Sequence, residues 1–141
     1  MEQKNILGIT EAERKELLVT IDSLRGKLDE LIEAFYGYFL KTEAGFLFEH
    51  TDMNRQQLMF HSSIGVIITH IEHPYMLEQH LNQTITKHQA YGVTGRHVDL
   101  FIESFYKGLK DVFPDVVDKH KVEIWYKLIS SVMLFFKNQL H

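Results

Sequence analysis

The sequence predicts an all-α domain of about six main helices, and three observations carry that expectation. Apolar residues recur at spacings of three and four along most of the chain. No stretch shows the apolar–polar alternation of a strand. The two prolines, Pro74 and Pro114, each open a segment of helical periodicity, where the missing N–H costs little. At 141 residues the chain suits one domain with one core, spanning 1–141.

Each element has its own local cause. Thr10 and Glu13 form a capping-box signature ahead of Leu17, Leu18 and Ile21, so a first helix is expected to reach Gly26. A second carries Leu28, Leu31, Ile32, Phe35, Phe39 and Leu40. An irregular region follows, with Gly45, Phe46, Phe48 and Thr51-Asp52. The third helix is expected from Asp52 to Glu72, with Phe60, Ile64, Ile67 and Ile71 on one face. Pro74 begins a helix bearing Leu77, Leu81, Ile85 and His88, and Gly92 and Gly95 end it. A long helix with Phe101, Phe105 and Val112 stops before Pro114. The last, with Val122, Trp125, Ile129, Val132 and Phe136, runs to the C-terminus. The mixed charges from Glu11 to Glu16 read as a solvated helix face.

Composition narrows the chemistry. Hydrophobic residues at 45% and charged residues at 24% belong to a folded globular chain. With no cysteine, thiolate metal sites, cysteine nucleophiles and disulfides are excluded. The net charge of −4 and dispersed histidines give no basic surface for nucleic acid. No run approaches the roughly 20 apolar residues of a membrane span, and the N-terminus lacks a secretory core. A cytoplasmic location without membrane partners is the expectation. Ten phenylalanines suffice either for a core of bulky rings or for a cavity around a flat ligand.

His88 is the residue on which function turns. It continues the stripe of Leu77, Leu81 and Ile85 on an otherwise polar helix, just before Gly92. Neutral imidazole is a good ligand for haem iron, and the Thr84 carbonyl one turn back suits its second nitrogen. From this helix alone, an iron ligand and a histidine satisfied within the core are both open. Tyr36 can point a phenol inward from the second helix. Gln56 and Phe60, four residues apart, share a face of the third, and Phe46 and Phe48 lie in the region between. Phenol and amide donors suit a diatomic ligand carrying partial negative charge, while phenylalanines exclude water. His70, His73 and His80 read as surface residues, because Pro74 breaks the face they would need to share.

The ordered set Phe35-Tyr36, Phe46-Leu47-Phe48, Gln56 to Phe60, and Lys87-His88-Gln89-Ala90-Tyr91-Gly92-Val93 with His97 resembles bacterial globins. The likeness is to single-domain haemoglobins and the globin domain of flavohaemoglobins, and more distantly to globin sensor domains. It runs from Leu17 to Leu140, with Trp125 where those proteins carry a tryptophan in the last helix. The resemblance implies a globin fold packed around haem b. His88 becomes the proximal iron ligand, Tyr36 the distal tyrosine and Gln56 the distal polar residue, with Phe60 a turn further on. Gln57 with His61 is the competing register. Phe48, in preference to Phe46, would pack on the haem; Val93 would touch its edge, and His97 or Arg96 a propionate.

Two departures bear on activity. Flavohaemoglobin-type globins place a tyrosine and a glutamate where this chain has Val98 and Leu140, and those groups make the proximal imidazole more electron-donating. The expected function is therefore reversible binding of O₂, CO and NO at a five-coordinate ferrous iron, in oxygen binding, transport, sensing or scavenging. The alternative is NO dioxygenation or peroxidase-like chemistry fed by an external reductase, since no glycine-rich dinucleotide turn is present. A homodimer and a signalling partner remain open.

Overall fold

The computed structural model describes residues 9–71, 73, 76, 78–83 and 92–140. Its first helix, α1 (Glu11–Gly26), begins with the expected capping box. The Thr10 hydroxyl accepts the Glu13 N–H, and the Glu13 carboxylate accepts the Thr10 N–H at 3.0 Å. α2 (Leu28–Phe39) follows at once and buries Leu28, Leu31, Ile32, Phe35, Tyr36 and Phe39. α3 (Met53–Thr69) starts on Asp52, whose carboxylate accepts the N–H groups of Asn54 and Arg55. Residues 76 and 78–83 are helical. α4 (Gly95–Val112) stops at Phe113, immediately before Pro114, and α5 (Lys119–Gln139) completes the chain. No strand occurs among the described residues, and no helix among them is long and apolar enough to cross a membrane.

Three local expectations are corrected. The irregular region is a short 3-10 helix, Glu43–Phe48, nucleated by the Thr42 hydroxyl accepting the Ala44 N–H. Its turn needs Gly45, since a Cβ there would lie 2.3 Å from the Leu40 carbonyl oxygen. The third helix ends at Thr69 rather than Glu72. Gly92 does adopt a positive φ of 81°. Gly95, by contrast, opens α4 instead of closing the element before it, because Thr94 caps it.

Packing follows the apolar faces. α2 lies against α4, which meets α5, and α5 also carries α1. The α2–α4 crossing is close at Gly108, where a Cβ would sit 3.3 Å from the Phe35 nitrogen. The sole tryptophan, Trp125, is 1% exposed, and its indole N–H donates to the Thr20 hydroxyl at 2.7 Å. The acidic face of α1 is not simply solvated. Glu13 accepts a hydrogen bond from Lys127, and Glu16 lies 2.8 Å from His120, both on α5.

Glu13 therefore links a helix cap to a neighbouring helix, which gives the fold an acid sensitivity. The hydrogen bond from Lys127, then that from the Thr10 N–H, hold its carboxyl below the ordinary 4.5, against the opposing effect of burial. A lowered value in the folded state means that this stabilisation is present above the unfolded value. It is lost as pH falls through the folded one. Glu13→Gln keeps an acceptor for the Thr10 N–H but removes the charge facing Lys127, so it should cost ~0.5 kcal/mol at pH 7, the scale of a part-exposed ion pair. Urea midpoints should show that deficit shrinking as pH falls below the ordinary 4.5 and wild-type Glu13 protonates; a deficit that stays constant throughout acid titration would contradict the carboxylate's role.

Candidate functional site

The four helices α2, α3, α4 and α5 converge on a cavity of about 240 Å³. Its wall is aromatic because the inward stripes of three helices place rings at the same level. Phe35, fully buried on α2, has its ring centroid 5.0 Å from Phe60 of α3 and 4.6 Å from Phe101 of α4. Phe39 stacks on Phe35 at 5.1 Å and meets Phe48 of the 3-10 helix at 5.7 Å. Ile129, Val132, Met133 and Phe136 supply the α5 side. Such a lining excludes water and accepts a flat apolar body.

One wall is polar. Tyr36 is 3% exposed, and its ring lies between Phe48 and Phe60, with centroids 6.0 and 5.8 Å away. The Gln56 side-chain amide donates to the phenol oxygen at 3.1 Å. Burial pushes the Tyr36 phenol above its ordinary 10, while the Gln56 donation pulls the other way. The phenol is thus protonated at neutral pH. Since its oxygen accepts from Gln56, its own hydrogen is available to a third group in the cavity.

A second polar feature stands at the start of α4. His97 Nδ1 accepts the Thr94 N–H at 3.0 Å, and the Thr94 hydroxyl accepts the His97 N–H in return. With Nδ1 occupied as an acceptor, neutral His97 carries its proton on Nε2. Its ring is buried, lines the cavity and meets Phe46 at a centroid distance of 5.7 Å. Beside it Arg96 Nε donates to Glu43 at 2.6 Å, tying α4 to the 3-10 helix. Arg96 is held above its ordinary range chiefly by that hydrogen bond.

Of the residues singled out in the sequence, Tyr36, Phe48, Gln56, Phe60, Val93 and His97 all line this one cavity. Phe46 does not line it and is 57% exposed, its ring resting on His97. In the competing register, His61 lies outside the lining, 3.6 Å from Asp29. His88 falls outside the described residues; Leu81 and Val93, on either side of it in sequence, both line the cavity. His80 corrects the sequence reading. It is half-buried and lines the cavity, whereas His73 is exposed. Met59, Ser63 and Met133 also line it. Met59 and Ser63 follow Gln56 at helical spacings of three and seven, a signal masked by their polarity or exposure.

The family model described as Globin matches residues 29–134. No curated protein sequence matches the chain. Among solved structures, the fold is similar to an engineered carbene transferase derived from a candidate nitric oxide dioxygenase of Rhodothermus marinus. The two share 16% identity at a TM-score of 0.78, over 93% of this chain and 92% of that one.

Proposed function

The chain belongs to the globin family, and from that premise we propose that its cavity holds haem b and binds O₂, CO and NO reversibly. The carrying observation is the Tyr36–Gln56 pair, a buried phenol aligned by an amide inside an otherwise aromatic lining. The residues present fit the group. The rings of Phe48, Phe60 and Phe101 offer flat apolar walls, and His80 and His97 place imidazoles on the same cavity. His88 is the proposed iron ligand, on the strength of the sequence pattern in which it stands. Bound haem supplies a ferrous iron with a free coordination position for a diatomic gas.

The chain's residues then divide the remaining work. Gln56 fixes the Tyr36 oxygen as an acceptor and so directs the phenol hydrogen into the cavity. That hydrogen stabilises a ligand bearing partial negative charge, as O₂ does, far more than it stabilises CO. Phe48 and Phe60 keep water from competing for it. His97 Nε2–H is a donor suited to a propionate carboxylate, with Arg96 as the adjacent cation.

Gas binding is favoured over turnover by what surrounds Val98. Val98 is 1% exposed and shares an apolar cluster with Phe136, against which Val93 and Leu140 pack. No phenol or carboxylate stands at Val98 or Leu140 to strengthen electron donation from the proximal side. Tyr36→Phe tests the proposal. Loss of a hydrogen bond to a charged partner, worth roughly 1.5–3 kcal/mol, should speed O₂ dissociation about tenfold to a hundredfold. CO dissociation should change far less, and Gln56→Leu should shift O₂ release in the same direction by a smaller factor. Stopped-flow rates settle it: an unchanged O₂ rate in Tyr36→Phe removes the phenol from the ligand's surroundings.

A further inference from the structure

The chain has no cysteine, so all its sulfur resides in five methionines. With no thiolate to intercept it, a peroxide-type oxidant acts on the thioethers that solvent reaches. Position sorts these side chains. Met53 and Met133 are partly buried and packed against the core, Met133 also lining the aromatic cavity. Met59 and Met76 are open to solvent, 55% and 54% exposed, and of these two Met59 alone belongs to the cavity lining. Among the described methionines, only Met59 is both widely exposed and part of that wall.

Its place on the wall matters. Met59 follows Gln56 by three residues on α3, a spacing that makes the two side chains neighbours on one face. Both line the cavity, and the Gln56 amide reaches the Tyr36 oxygen at 3.1 Å. A thioether is a weak acceptor and leaves that hydrogen bond undisturbed. A sulfoxide is polar and chiral, and its oxygen accepts hydrogen bonds more strongly than a phenol does. In a lining otherwise dominated by apolar side chains, such an acceptor competes directly for the Gln56 amide.

We propose that Met59 is a redox modification site, oxidised to the sulfoxide by hydrogen peroxide, and that the sulfoxide loosens the Tyr36–Gln56 pair. Its consequence for O₂ rests on the gas-binding reading; its chemistry does not. The sulfur lone pair attacks one peroxide oxygen, and the O–O bond breaks as the S–O bond forms. The departing hydroxide takes the proton from the transferred oxygen and leaves as water. Sulfur thus gives up two electrons and the peroxide accepts them. Without the Gln56 amide to align it, the phenol hydrogen is directed less firmly into the cavity, and O₂ leaves faster.

The test treats haem-loaded, CO-saturated protein with graded hydrogen peroxide and reads sulfoxide at each methionine by peptide mass spectrometry. Met59 and Met76 should oxidise at similar rates, well ahead of Met53 and Met133. The Gln56 side-chain amide signal in NMR should shift on oxidation of wild type and of Met76→Leu, and stay in place in Met59→Leu. O₂ dissociation should quicken roughly twofold to tenfold, the worth of one neutral hydrogen bond, with the same dependence on the two variants. Methionine sulfoxide reductases should reverse both changes. A Met59 that stays reduced while Met76 oxidises would overturn the site. So would a Met59 sulfoxide that leaves the Gln56 signal or the O₂ rate unchanged, or a response that survives in Met59→Leu. The mass and amide readouts need no gas ligand, and Tyr36→Phe tests gas binding on unoxidised protein, so the two failures are distinguishable.

Discussion

His88→Ala should purify with little or no haem, and its intense near-ultraviolet band should be lost or shifted, with recovery on adding free imidazole. The expectation rests on coordination chemistry: an apolar cavity alone holds a porphyrin weakly and leaves the iron without a protein nitrogen. Three histidines compete for the assignment. His80 and His97 line the cavity, while His88 continues the stripe of Leu77, Leu81 and Ile85 and carries the family resemblance. His97 is engaged through Nδ1 with Thr94, and losing it should weaken the α4 cap by ~1 kcal/mol without removing the iron ligand. Spectra of ferric, ferrous and CO-bound protein for all three alanine variants separate the cases. A normal spectrum in His88→Ala with loss in His80→Ala would transfer the role to His80.

Phe35→Ala should destabilise the fold by about 3–5 kcal/mol, the range for removing a buried aromatic ring. Phe35 has no exposed surface and touches rings on every side, from Tyr36, Phe39, Phe60, Phe101 and Phe105. Its backbone nitrogen also lies at the Gly108 crossing, so α2 cannot slide toward α4 to refill the void. Such sites relax least and cost most. Phe46→Ala is the matched control, since its ring is 57% exposed and its loss should cost ~0.5 kcal/mol. Urea unfolding monitored by circular dichroism measures both; equal effects would show that the ring cluster around Phe35 contributes no more than surface contact.

The helical architecture was legible because its signals are local. Thr10 with Glu13, the stripe from Leu28 to Phe39, and Asp52 before α3 each act within one or two turns, and each shapes the structure as its chemistry requires. The convergence of Tyr36 and Gln56 was legible through helical facing and the family pattern combined. Elsewhere local pattern gave out. The six residues of the 3-10 helix are too few for any period to show. Thr94 with His97 caps α4 by the same reciprocal bonds as Thr10 with Glu13, but imidazole replaces the carboxylate or amide that marks the motif. The partners of Glu13 and Glu16 lie on α5, more than a hundred residues away in sequence, where no local rule reaches. His80 escapes local pattern for a related reason. Its place in the cavity lining rests on residues distant in sequence, which no local pattern around it announces.

Trp125 gives the molecule an optical gauge. As the lone indole, shielded from solvent and anchored to Thr20, it emits from a single fixed environment. It is carried by the same helix whose Ile129, Val132 and Phe136 border the aromatic chamber. A porphyrin seated there would drain its excited state by energy transfer, so brightening of this one fluorophore reports emptying of the chamber without any added label.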